Sequence, residues 1–134
     1  MKNEESKLVY LVEDDSDDQE ILVAAIHQIN PGITMQVFEN GMDLMKSIDI
    51  NYNADKPCLI ILDYNMPFYT GAEVLKKLNA LHCLQDIPKL VWSTAGDLNT
   101  RNECISNGAS NYYEKPYNIS GYSQLAANML GYII

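Results

Sequence analysis

Cysteine is scarce in this chain. Cys58, Cys83 and Cys104 are odd in number and show no CxxC spacing, so neither a disulfide framework nor a zinc site is indicated and a reducing compartment is expected. Clustered positive charge is missing as well: nine basic against eighteen acidic residues leave a net charge of −9, with no Lys/Arg cluster. Nucleic-acid surfaces need concentrated positive charge, so a protein partner or a metal cation is the more natural complement. No apolar run approaches the ~20 residues of a membrane span, and the polar start Met1-Lys2-Asn3-Glu4-Glu5 lacks the apolar centre of a signal peptide. The expectation is a cytoplasmic protein with no membrane or nucleic-acid partner. A glycine-rich phosphate loop and a Cys/His nucleophile pair are also absent. His27 and His82 fall in helical patterns far from any strand end, which leaves them without a role. With no repeat, linker or low-complexity tract, 134 residues read as one domain with a real core.

What is present is a regular alternation. Leu59–Leu62 is a run of four apolar residues that reads as a strand buried on both faces. It stops at Asp63, and Pro67 forbids a further ladder bond. Leu8–Val12, Thr34–Phe38, Pro88–Ser93 and Ser110–Glu114 read as four more strands. Between them the spacing predicts helices. The first opens at Ser16, with Gln19 completing a capping box and Asp17 and Asp18 suiting the helix dipole, and ends at Pro31-Gly32. A short one runs from Asn40 to Ile48 with Met42, Leu44, Met45 and Ile48 partly inward, before a polar loop over 49–56. A third opens at Gly71 behind a Thr70/Glu73 capping box, with Val74, Leu75, Leu78 and Leu81 facing the core. A fourth, Leu98–Ser106, stops at a left-handed Asn107-Gly108 cap, and the last covers Ile119–Leu130. Five strands alternating with five helices imply a doubly wound α/β fold on one parallel sheet.

Right-handed crossovers then put every strand's carboxyl end on one edge. Asp14, Asp63, Ser93 and Lys115 each close a strand and so gather there. Carboxylates brought together repel unless a cation joins them, and all-oxygen ligation with open positions suits Mg²⁺. A carboxylate beside Mg²⁺ can attack a phosphoryl group and form an aspartyl phosphate. Asp63, Lys115 and Ser93 are the available nucleophile, ammonium and hydroxyl. Plainer readings stand beside this one: Asp63 as a turn residue, Glu13-Asp14-Asp15 as a solvated turn, Ser93 bonded to backbone, Lys115 as a surface lysine.

In this order the motifs resemble a receiver domain of a two-component response regulator, stand-alone and chemotaxis-regulator-like. They are Glu13-Asp14, then Leu62-Asp63-Tyr64-Asn65-Met66-Pro67 with Gly71 four after the proline, Ser93-Thr94-Ala95, and Gly108-Ala109-Ser110-Asn111-Tyr112-Tyr113-Glu114-Lys115-Pro116. The resemblance runs from about Lys7 to Met129 and implies a flavodoxin-like receiver fold, one domain over 1–134 with a core of about 7–130 and no output domain. It implies Asp63 as phosphoacceptor, Asp14 as a direct magnesium ligand, Glu13 acting on the metal through water, and the Asn65 backbone carbonyl completing the site. It also implies Lys115 as the phosphate-pairing lysine, Ser93 as the switch hydroxyl, Tyr112 as the switch aromatic, and a cis Lys115-Pro116 bond.

The partners so implied are a sensor histidine kinase or phosphotransfer protein and an unknown downstream protein, and the chemistry is self-phosphorylation rather than enzymatic turnover. Output is expected around the fourth helix, fifth strand and fifth helix, where Tyr113, Tyr117 and Tyr122 cluster unless they only pack the last helix. Asp15 is peripheral, Thr94 is larger than the small residue usual after the switch hydroxyl, and Trp92 is read as core. A haloacid-dehalogenase-like phosphatase would carry a second Asp where Asn65 stands. A receiver-like binding module that is never phosphorylated would be marked by loss of Asp63 or Lys115, and both are present.

Overall fold

A computed structural model of the chain describes residues 7–50, 56–81, 84–94 and 96–133. Strand and helix alternate throughout: β1 (Lys7–Val12), α1 (Ser16–Ile29), β2 (Ile33–Phe38), α2 (Gly41–Ile50), β3 (Leu59–Asp63), α3 (Gly71–Asn79), β4 (Lys89–Ser93), α4 (Leu98–Ser106), β5 (Asn111–Glu114) and α5 (Ile119–Leu130). The strands form one parallel sheet in the order β2-β1-β3-β4-β5. This is the five-stranded, five-helix architecture that the alternation predicts.

Period-two alternation along each strand divides the apolar residues between two layers. Val9, Leu11, Leu59, Ile61, Leu90 and Trp92 meet α1 through Leu22 and Ile26 and α5 through Tyr122, Leu125 and Met129. Tyr10, Val12, Ile60, Leu62 and Val91 meet α2 through Leu44, α3 through Val74, Leu75 and Leu78, and α4 through Cys104. Every residue of β3 is buried, Asp63 included. Each of its four apolar side chains contributes about 1.5–3 kcal/mol by leaving water, and that burial holds the carboxylate at the strand end. Since α1 and α5 cover one face and α2–α4 the other, the strand order reverses between β1 and β3. Open α/β sheets bind ligands in the crevice outside the carboxyl ends at such a reversal.

Several local expectations need correction. The cap of α1 is Asp15, whose Oδ1 accepts the Asp18 N–H at 2.9 Å, so Ser16 is already helical. An Asp caps as well as a Ser and gains from the positive end of the helix dipole, while Gln19 Nε2 donates to the Glu13 carbonyl at 2.5 Å. Asn40 caps α2, accepting the Asp43 N–H at 2.9 Å, and the helix continues to Ile50, two residues into the expected loop. Met42 points outward rather than inward. The rest of that loop up to residue 55, and His82, Cys83 and Ala95, lie outside the described residues. No peptide bond among the described residues is cis, so Lys115-Pro116 keeps the trans form that proline favours by about 0.5–1 kcal/mol.

The other signals hold. Thr70 and Glu73 make both bonds of a capping box. Helix α4 stops at Asn107, and Gly108 supplies a φ of 105° that residues with a Cβ rarely adopt. The three output-side tyrosines divide: Tyr122 is buried and meets Trp92 edge-on at 6.0 Å, Tyr113 is half-buried, and Tyr117 stands in solvent. Among the described residues no helix is long and apolar enough to cross a membrane.

Candidate functional site

Three strand ends converge at the reversal. The Glu13 N–H donates to the Phe38 carbonyl at 2.9 Å, extending the β1–β2 line by one residue and carrying the Glu13 carboxylate into the crevice, fully buried. Asp63, 3% exposed, ends β3, and its Oδ1 accepts the Asn65 N–H at 3.3 Å. Lys115 follows β5 and donates its N–H to the Ser93 carbonyl at 2.7 Å, which lays its side chain along the edge. The Lys115 Nζ then lies 2.9 Å from Glu13 Oε1, 2.9 Å from Asp18 Oδ2 and 3.3 Å from Asp63 Oδ1, and 4.7 Å above the Trp92 ring. An ammonium has three N–H groups, and three carboxylates surround this one. The plain reading of Lys115 as a surface lysine does not survive: it is 8% exposed.

Asp14, one residue beyond Glu13, is exposed. One carboxylate oxygen from each of Glu13, Asp14 and Asp63 lies within 4.8 Å of the other two. This acid set, made of oxygen donors alone and open to water on the Asp14 side, suits a hard divalent cation. Ligands on opposite sides of a Mg²⁺ ion stand about 4 Å apart, so the three acids need only a small inward movement to share one.

The electrostatics follow from burial. Desolvation first, and the neighbouring Asp63 charge second, push the Glu13 carboxyl up to about 8 against the pull of Lys115. Burial raises Asp63 as well, again opposed by Lys115. At Lys115 burial works against the charge, yet the carboxylates of Asp18, Glu13 and Asp63 outweigh it and lift the ammonium above the ordinary lysine range. The pocket therefore holds a fixed cation beside two acids that compete for a proton.

Around this centre the loops are tightly drawn. The Gly71 N–H donates to the Tyr64 carbonyl at 2.8 Å, and a Cβ on Gly71 would stand 2.9 Å from the Asp63 carbonyl oxygen. Only glycine lets α3 begin so close to the Asp63 backbone. Phe68 has a φ of 74°, and across it the Tyr69 N–H reaches the Pro67 carbonyl at 2.9 Å, a left-handed γ-turn that turns the chain back toward α3. Tyr64 sends its hydroxyl to Glu103 Oε1 on α4 at 2.8 Å, a bond that pushes its phenol up to about 12.

Ser93 is fully buried at the end of β4. Tyr112 is also buried: desolvation raises its phenol, and a hydrogen bond from Ser93 draws it partly back. Thr94, the larger neighbour, is exposed. The structure thus brings together Glu13, Asp14, Asp63, Asn65 and Lys115, and sets Ser93 with Tyr112 beside them. Sequence reasoning missed Asp18, reading it only as a dipole residue. One signal was available: side chains in a first helical turn lean toward the helix start, here toward the strand edge.

Comparison with known proteins agrees. The family described as response regulator receiver domain matches residues 9–126. Two-component response regulator ARR17 of Arabidopsis thaliana is 29% identical over 134 aligned positions, covering 94% of this chain and 87% of that protein. Against ARR16 of the same plant the identity is 32% over 78 residues, and that match covers 58% of this chain and 48% of the relative. Several other curated relatives are likewise matched over half their length or less. Among solved structures, the phosphorylated cyanobacterial phytochrome response regulator RcpA superposes with a TM-score of 0.87 at 26% identity, covering 96% of this chain and 94% of that one. The Mn²⁺-bound form of response regulator Rcp1 shares the fold at a TM-score of 0.82 and 22% identity, covering 93% and 92%. The chain belongs to the response regulator receiver domain family, which is not in general one of classical enzymes. Its acidic pocket fits phosphorylation of an aspartate.

Proposed function

We propose that this chain accepts a phosphoryl group on Asp63 from the phosphohistidine of a sensor histidine kinase or phosphotransfer protein, with Mg²⁺ held at the acid cluster, and signals onward through protein contacts. The observation that carries the reading is the Lys115 ammonium held between Glu13 and Asp63 beside the Glu13-Asp14-Asp63 cluster. Two relatives lend support: RcpA is described in a phosphorylated form and Rcp1 in a Mn²⁺-bound form.

Transfer asks little covalent chemistry of the protein. An Asp63 carboxylate oxygen forms the new O–P bond as the bond from phosphorus to the donor's imidazole nitrogen breaks, and the electron pair leaves with that nitrogen. Asp63 must therefore be ionised, and Lys115 favours that form. The same ammonium, 3.3 Å from Asp63 Oδ1, can donate to a phosphoryl oxygen as it arrives. Asp14 and Asp63 would hold the metal directly, Glu13 through water, and the Asn65 carbonyl would complete the site; Mg²⁺ supplies charge neutralisation at the phosphoryl oxygens. Ser93 would donate to a phosphoryl oxygen, and to do so it must release Tyr112. That exchange is the proposed switch, since Tyr112 packs against Cys104 and the α4 side of the sheet.

The test is intact mass after incubation with acetyl phosphate and Mg²⁺, for wild type and Asp63→Asn. An adduct of about 80 Da on wild type alone is the expected outcome. No adduct on wild type would favour a module that only binds; an equal adduct on both proteins would put the phosphoacceptor elsewhere.

A further inference from the structure

Nothing in the phosphotransfer chemistry requires Asp18, yet its carboxylate holds the central lysine as closely as Glu13 does. Asp18 Oδ2 is 2.9 Å from Lys115 Nζ, and Asp63 Oδ1 is 3.3 Å away. Asp18 does not cap its own helix, since Asp15 does so and accepts the Asp18 N–H. Its side chain is left to reach from the first turn of α1 to the end of β5.

We propose that Asp18 is a positioning residue that withholds part of the Lys115 charge from Asp63 and thereby sets how tightly the pocket grips a phosphoryl group. The inference rests on the reading that a phosphoryl group arrives at Asp63. Three carboxylates crowd within 3.3 Å of the ammonium before the group arrives, and the contact with Asp18 is a hydrogen bond. A new phosphoryl oxygen must draw the ammonium partly off one of them. Glu13 is fully buried, so releasing it leaves a polar carboxyl without its partner in the interior. Asp18 is 26% exposed, and water can take over its hydrogen bonds. Asp18 is therefore the competitor that yields. Its negative charge, on the same ammonium as Asp63, also opposes an incoming anion while favouring a cation in the neighbouring acid cluster.

These two effects have opposite signs, which separates the proposal from simple damage to the pocket. Removing the charge in Asp18→Asn should tighten beryllofluoride, a phosphoryl mimic, by about tenfold at saturating Mg²⁺, and should weaken Mg²⁺ on its own by about threefold. Asp18→Glu keeps the charge and should stay within about threefold of wild type for both ligands. Calorimetry supplies the Mg²⁺ affinities and fluorescence of Trp92, 4.7 Å from the Lys115 ammonium, follows beryllofluoride. Asp18→Asn binding beryllofluoride no more tightly than wild type overturns the proposal, as does Asp18→Glu binding it as tightly as Asp18→Asn. If wild type binds neither ligand and gains no adduct from acetyl phosphate, the reading of the site itself fails, and this inference with it.

Discussion

Replacing Lys115 by methionine keeps most of the side-chain volume and removes the cation that pairs with Glu13, Asp18 and Asp63, so its cost is mainly electrostatic. Breaking a buried ion pair from one side costs about 3–5 kcal/mol. Asp18, partly exposed, returns to water, but Glu13 and Asp63 stay buried without the Lys115 charge. They limit the loss by taking up a proton, which places the expected cost near the lower end, about 3 kcal/mol at pH 8. The pH dependence fixes the mechanism. In wild type the folded Glu13 pKa, about 8, lies above its ordinary 4.5, so the native state binds the extra proton. The contribution of that group is complete below the ordinary value and is lost as pH rises through the folded one. Lys115 lowers both carboxyls, so without it their folded values climb and stability falls more steeply with pH. The ammonium, raised above the ordinary lysine range, stays charged throughout this window and adds no slope of its own. Urea denaturation of both proteins in EDTA, between about pH 6.5 and pH 9, should show a deficit that widens as pH rises through the folded Glu13 value of about 8 and is smaller at the acid end. A deficit that is flat across this range, or larger in acid, would refute the account of Lys115 as the counter-ion of two buried acids.

Gly71→Ala should cost about 1–3 kcal/mol, because its Cβ would meet two backbone atoms, the Asp63 carbonyl oxygen at 2.9 Å and Tyr64 Cα at 3.0 Å; an unchanged denaturation midpoint would mean that α3 stands free of the strand end. Asp14→Ala, at an exposed position, should leave stability within about 0.5 kcal/mol and abolish most Mg²⁺ binding by calorimetry, and wild-type affinity in this variant would remove Asp14 from the metal site. Ser93→Ala should still accept phosphate on Asp63, yet the amide shifts caused by beryllofluoride should no longer spread to Tyr112; a full wild-type pattern would sink the switch. Tyr64→Phe deletes a 2.8 Å bond to Glu103 and should lower stability by about 1 kcal/mol while speeding amide exchange in α4, so unaltered exchange there would deny that Tyr64 ties the β3–α3 loop to that helix.

What could be read from the sequence divides by the range of the cause. Leu59–Leu62 announced a central strand because burial on both faces leaves no polar position in the run, and β3 is buried at every residue. The edge that gathers Asp63, Asp14, Ser93 and Lys115 followed from chain handedness alone. Thr70 and Glu73 were legible because a capping box is a local pattern with two reciprocal bonds. The same rule misled at Ser16, since Asp15 competes for the same N–H groups one residue earlier and has the charge to win. Met42 was misjudged because a helix of this length has a narrow buried stripe, occupied here by Leu44. Local patterns rank candidates; tertiary distances choose among them.

Asp18 and Tyr112 show where that limit bears on function. Helical spacing places Asp18 in a first turn, but its contact with Lys115 joins residues 97 apart in sequence and depends on α1 and α5 sharing one face of the sheet. Tyr112 is named by its motif, yet whether its ring lies inside or outside is a matter of space between β4, β5 and α4. Here the ring is inside and bonded to Ser93. If Ser93 is already engaged by Tyr112, and Lys115 by Asp18, the incoming phosphoryl group must displace two existing partners rather than fill two empty positions. The free energy of the switch is then a difference between bonds exchanged. A difference of a few kcal/mol is enough to move such an equilibrium from one state to the other. On this view the two residues that release their bonds, Tyr112 on the α4 side and Asp18 on the α1 side, carry the signal to opposite faces of the sheet.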